Sequence, residues 1–170
     1  MIVLPTDPLA AAIIQRIQRD LPIEENPIGS NRSPEIDAMC RRWGVPLGSY
    51  WCALWAASCW ADAGAEVPPI DDAKGWHPAK AETWRQWALA TGRFSPTPIQ
   101  GAAVLYGPHG SGPAEHIGAA VMTVAPLLRD AEGNTTDSGF SREGELTAIK
   151  PVNLDRLIGY CHPHPTQGAA

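Results

Sequence analysis

A nucleophile, a base and an orienting group can be picked out of the chain at Cys52, His116 and the stretch Glu132-Gly133-Asn134. Together they would support acyl transfer through a thioester: a thiolate attacks a carbonyl, an imidazole moves the proton, and a third group holds the imidazole in one tautomer. Cys52 opens an alanine-rich run, and at the start of a helix unpaired backbone N–H groups and the positive dipole end favour thiolate over thiol. Taken alone it reads equally as a small buried hydrophobe. Cys59 lies two turns along the same face, mid-helix, and reads as packing, as does Cys40. Among the histidines, His116 leads the apolar segment His116-Ile117-Gly118-Ala119-Ala120-Val121, whereas His77, His109, His162 and His164 fall in loops or the tail. Residues two apart on a strand share a face, so Glu132 and Asn134 both turn towards His116 if their strands form a hairpin around Ala125-Pro126. The competing expectation for these three residues is a plain turn.

Four helices and a set of short strands are needed to position those groups. Asp7 caps a helix with Pro8 at its first position and Leu9, Ile13, Ile17 and Leu21 on one face. Ser33-Pro34-Glu35 starts a second, with Ile36, Met39, Cys40 and Trp43 inward before Gly44 and Pro46 stop it. The run from Tyr50 to Ala63 forms a third, closed by Gly64 and buried nearly all round, and Pro78 to about Ala90 forms a fourth, anchored by Trp84 and Trp87. From Gly101 onward the texture changes to short, partly β-branched segments: Ala103 to Tyr106, His116 to Val124, Leu127 to Ala131, Glu145 to Lys150 and Leu157 to Cys161. Helices first and strands second predict an α+β domain with an antiparallel sheet.

The 170 residues match one domain with one core, and 44% hydrophobic against 18% charged residues places the chain among folded globular proteins. A net charge of −5 offers no general attraction for phosphate backbones, so no nucleic-acid partner is expected. No apolar run reaches the length of a membrane-spanning helix, and residues 1 to 21 lack a basic signal-peptide start. Four scattered cysteines do not make a disulfide scaffold, and Cys161-His162-Pro163-His164 is too compact for a metal site. Residues 163–170 read as a flexible tail.

The ordered set Tyr50-Trp51-Cys52-Ala53, Glu115-His116-Ile117-Gly118 and Glu132-Gly133-Asn134-Thr135 resembles the CHAP family of papain-like peptidoglycan hydrolases. Gly29-Ser30-Asn31-Arg32 and Leu157-Ile158-Gly159-Tyr160 extend the likeness over about residues 25 to 161, after an N-terminal helix and linker over 1–24. The resemblance implies a papain-like fold with the nucleophile at a helix N-terminus, and cleavage of a cell-wall amide, either muramoyl-L-alanine or a bond of the stem peptide or cross-bridge. In that scheme Cys52 attacks, His116 shuttles the proton, and Glu132 or Asn134 orients it, leaving the third residue open between the two. Two departures stand out. Pro46 occupies the place of the side-chain oxyanion donor, leaving Asn31 as a candidate, and no aspartate precedes the cysteine between Arg41 and Trp51, so no metal or other cofactor is expected. Trp51, Trp76 and Tyr50 are candidates to line a substrate groove, with core packing an equal reading for Trp51 and Trp76.

The implied partner is the peptide part of peptidoglycan, met by a monomer, with an immunity protein if the chain is a toxic effector. The implied setting is synthesis in the cytoplasm without a signal peptide and action in the periplasm or cell wall after holin release or contact-dependent export. The alternative reading is a non-catalytic wall-binding or assembly module of a phage or secretion apparatus on the same fold. A peptide hydrolase of other substrates is a third.

Overall fold

The computed structural model describes residues 5–123, 128–136 and 144–166. Helix α1 spans Pro8–Arg19, and the Asp7 side chain accepts from the Ala10 N–H as the sequence predicts. Helix α2 spans Pro34–Trp43 between the Ser33 cap, which accepts from Ile36, and Gly44 in the left-handed conformation at φ 68°. Helix α3 runs Cys52–Asp62 and helix α4 Ala81–Ala90. The expected starts at Tyr50 and Pro78 therefore move inward. Trp51 has φ −118° and ψ 5°, and Lys80 is extended, so neither segment turns helical until the next residue.

The strands are β1 Phe94–Ser95, β2 Ala103–Tyr106, β3 His116–Met122, β4 Arg129–Thr135, β5 Leu146–Pro151 and β6 Leu157–Cys161. They form one sheet in the order β1-β6-β2-β3-β4-β5, with every pairing antiparallel. The α+β expectation holds. Strand β1, too short to show a period, was not foreseen, and β4 runs four residues beyond the expected end at Ala131. The expected link at Ala125-Pro126 lies outside the described residues, but β3 and β4 do pair, with Gly118 opposite Glu132 and Ala120 opposite Asp130.

Period-two alternation sorts the sheet's side chains to two faces. One face presents Ala103, Leu105, Ile117, Ala119, Val121 and Ala131 to the helices, which complete the main core with Ile13, Ile17, Ile36, Leu54, Trp55, Trp60 and Trp84. Helix α3 is the central one: every residue from Cys52 to Trp60 is buried. The other face carries Val104, Tyr106, Ala120 and Tyr160 and, beside them, the buried polar residues His116, Asp130, Glu132 and Lys150. Residues 163–166 are not a free tail, since Ala65 bridges Pro165 and the Glu66 and Thr166 N–H groups bond across to His164 and Gly64 carbonyls.

Candidate active site

Cys52 is the first residue of α3 and is buried, 6% exposed. No side chain among the described residues caps this terminus, and the first backbone N–H with an intrahelical partner is that of Trp55, bonded to Trp51 O at 2.9 Å. The N–H groups of the first turn therefore face outward around the sulfur with their dipole end positive. What seats the terminus is Trp51. Its ring lies on Gly133 of β4, where an added Cβ would come within 3.0 Å of Trp51 Cζ3 and 3.1 Å of Trp55 Cβ. Its indole Nε1 donates to Glu25 Oε1 at 3.0 Å. The same carboxylate accepts the Asn31 backbone N–H through Oε2 at 2.9 Å, so Glu25 ties the loop before α2 to the residue preceding Cys52.

His116 begins β3 and is 5% exposed. Its Nε2 lies 3.1 Å from Glu132 Oε2. That leaves Nδ1, buried and without a conventional hydrogen bond among the described residues, as the nitrogen open to the Cys52 sulfur. Burial works against an imidazolium here, but the Cys52 sulfur and then the Glu132 carboxylate outweigh it and raise the His116 pKa to about 10. The side chains that meet at His116 thus come from α3, β3 and β4, distant in sequence and joined by the β3–β4 pairing.

Glu132 Oε2 collects three donors: His116, the Thr135 hydroxyl at 2.8 Å and the Lys150 ammonium at 3.2 Å. Burial pushes this carboxyl up, but His116, Lys150 and Thr135 together hold it down at about 2. Asp130, two residues earlier on the same face, goes the other way. Burial and the adjacent Glu132 charge raise it to about 8, although the Tyr106 hydroxyl donates to its Oδ2 at 2.7 Å. Tyr106 also stacks on His116, with ring centroids 6.1 Å apart. Gly118 makes room for both acids: a Cβ there would stand 2.4 Å from Asp130 Oδ2 and 3.1 Å from Glu132 Cγ.

A cavity of about 280 Å³ opens onto Cys52 between Tyr50, Lys80, Glu82 and Glu115. A second, of about 430 Å³, shares Tyr50, Ala79 and Lys80 with it and is lined further along by Pro46, Asp72 and Trp76. The two make a groove past the sulfur. A larger cavity of about 670 Å³ lies between α1 and α2, lined by Arg16, Arg42 and Ser58, with none of the Cys52 cluster in its wall.

No family model, curated protein or solved structure matches the chain.

The structure brings Cys52, His116 and Glu132 together, and of Glu132 and Asn134 it is Glu132 whose carboxylate lies at His116 Nε2. Asn134 is fully buried at φ 54°, where the β4–β5 register shifts between Glu132 and Thr135, so regular strand alternation alone does not place its side chain. Asn31, also at positive φ (54°), is anchored by Glu25. Of the two readings of Trp51 the structure gives packing, not substrate contact: it is 0% exposed, bonded to Glu25 and set against Gly133. Tyr50, 51% exposed, and Trp76 do line the groove; Trp76 donates to Gln86 and carries the Lys74 ammonium over its ring at 4.5 Å. Cys40, Cys59 and Cys161 are buried and free, and burial pushes the Cys161 thiol up to about 12 and raises Cys40 and Cys59 as well. Sequence reasoning missed Lys150, Thr135, Asp130, Tyr106 and Glu25. The one available signal was the alternation Asp130, Glu132 on a strand facing another with Gly118.

Proposed function

We propose that this chain is a cysteine amidase or peptidase of papain-like design acting on the peptide part of peptidoglycan, in the manner of the CHAP family its motifs resemble. The observation that carries the reading is the placement of Cys52 at an uncapped helix N-terminus beside a buried His116 whose far nitrogen is held by Glu132. In the reaction, Cys52 Sγ attacks the amide carbonyl while the imidazolium form of His116 carries the thiol proton. The tetrahedral oxyanion sits against the free first-turn N–H groups of α3. The C–N bond breaks as His116 passes its proton to the departing amine. Water then attacks the thioester, His116 takes the water proton, and Cys52 Sγ leaves as the thiolate. Glu132 stays ionised throughout and keeps Nδ1 turned to the sulfur.

The groove along Tyr50, Trp76 and Lys80 suits an extended peptide, with aromatic faces for its backbone and methyl groups. The setting this implies is the periplasm or cell wall. Digestion of purified sacculi followed by mass spectrometry of the products names the bond cut. Cys52→Ala is expected to lower product release by about three orders of magnitude or more, as loss of a nucleophile does. Identical products at similar rates from wild type and variant would sink the proposal. Intact sacculi alongside a cleaved protein substrate would keep the cysteine chemistry and remove the wall.

A further inference from the structure

We infer that Lys150 is a positioning residue of this site, fixing through Glu132 both the aim and the proton affinity of His116. The inference rests on the proposed Cys52–His116 chemistry and extends it to a strand, β5, that touches neither group in sequence nor by hydrogen bond to the ring.

Lys150 is 4% exposed, and an ammonium is not buried without compensation. Its Nζ donates to Thr135 Oγ1 at 2.6 Å and stands 3.2 Å from Glu132 Oε2, the oxygen that also meets His116 Nε2. Thr135 in turn donates to that oxygen at 2.8 Å, so ammonium, hydroxyl and carboxylate close a small ring. Glu132 Oε1 has no partner among the described residues. Among the described residues the donors to the carboxylate are thus gathered on one oxygen, and two of the three come from the Lys150–Thr135 pair.

Two consequences follow. The carboxylate cannot rotate without breaking three contacts, which keeps Oε2 opposite Nε2 and so Nδ1 opposite the sulfur. An oxygen already holding a cation and a hydroxyl is also a weaker proton acceptor and a weaker stabiliser of the imidazolium, so Lys150 tempers the pull of Glu132 on His116. The groups that face the ring and its acceptor are Cys52 from α3, Tyr106 from β2, Asp130 and Glu132 from β4 and Lys150 from β5, with Tyr160 of β6 beyond Asp130. Asp130, opposite Lys150 in the β4–β5 register, is raised towards its neutral form, whereas Glu132, 3.2 Å from the ammonium, is held ionised.

The test is the pH profile of Cys52 alkylation by iodoacetate. This anionic reagent is drawn by the imidazolium, so its rate falls as His116 loses its proton, and the readout needs no wall substrate. Cys52→Ala supplies the background from other thiols. Lys150→Met is expected to move the alkaline limb upward by about one pH unit and Lys150→Arg to leave it near that of wild type. In a Glu132→Gln background Lys150→Met should move the limb no further. An unmoved limb in folded Lys150→Met, or an equal shift with and without Glu132, overturns the inference. Should Lys150→Met not fold, Thr135→Val carries the test, since it removes the shared hydroxyl without unpairing a charge and should move the limb the same way by less; an unmoved limb there overturns the inference too. A wild-type profile lacking reactivity at acid pH would instead sink the Cys52–His116 pair itself, and with it the proposed activity.

Discussion

Gly118 shows how a single absent methyl group makes room for chemistry. It lies opposite Glu132 in the β3–β4 register, and its missing side chain is the space that Asp130 and Glu132 occupy. Gly118→Ala puts a Cβ 2.4 Å from Asp130 Oδ2, too close for any native contact, and the nearby Ala131 carbonyl at 3.0 Å is backbone that cannot step aside. The carboxylates must shift, and Glu132 loses its line to His116. The expected outcome is a fall in kcat of about 100-fold with KM little changed, because a displacement of roughly an ångström at the orienting group is enough to misalign a proton shuttle. Steady-state kinetics on muropeptides, with circular dichroism to verify folding, reads this directly. Two tryptophans that look alike in sequence make a second residue-scale contrast. Trp76→Ala should raise KM several-fold and cost less stability than the loss of Trp51, since its half-buried ring lines the groove. Trp51→Ala should instead cost about 3–5 kcal/mol in urea unfolding, the usual price of emptying a buried aromatic site.

At the scale of elements, α3 is the part that makes a cysteine into a candidate nucleophile. Its sequence has almost no polar face, so it is stable only when surrounded, and the surrounding is supplied by α1, α2, β3 and β4. Trp51 and Trp55 settle onto Gly133, which sets the height of the helix terminus above β4 and so the position of Cys52 relative to His116. Gly133→Val should therefore lift the terminus: Cys52 stays intact but its alkylation rate at pH 5 falls towards that of an ordinary thiol, because it loses the imidazolium beside it. An undiminished rate at pH 5 in the folded variant would show that the Trp51–Gly133 contact does not set the site. The element boundaries themselves were largely legible. Asp7, Ser33, Gly44 and Gly64 mark helix ends through cap chemistry that acts locally, and the structure puts the helix ends at or beside them. The start of α4 was not, because Pro78 is a permitted first residue but the chain there is still turning around the Trp84 indole bond to its carbonyl.

For the whole molecule, the buried polar face ties stability to pH. Glu132 is held at about 2, below its ordinary 4.5, so its ionisation contributes stability that is fully present above about pH 4.5 and is lost as pH falls towards 2. His116 is raised from 6.5 to about 10, so the stability from its protonation is present below pH 6.5 and disappears as pH climbs through 10. Wild type should show thermal midpoints that decline on both sides. Glu132→Gln should flatten the acid decline, and His116→Gln the alkaline one, each read by circular dichroism melts across pH 2 to 11. A variant that keeps the full wild-type slope on its own side would show that the group does not titrate as the geometry dictates.

What the amino-acid order determined by itself was whatever depends on near neighbours: the caps, the inner faces of α1 and α2, the antiparallel α+β character, and the succession of Cys52, His116 and Glu132 or Asn134. What only the tertiary structure decided depends on which face of a strand ends up covered. Asp130, Glu132 and Lys150 alternate with apolar residues as any half-solvated strand does, and nothing local says that their side is sealed from water. Once it is, desolvation forces each charge to find a partner, and the partners come from β2, β3, β4 and β5 together. The same holds for Trp51, packed against Gly133 far along the chain, and for Asn134, which sits at positive φ where the β4–β5 register shifts.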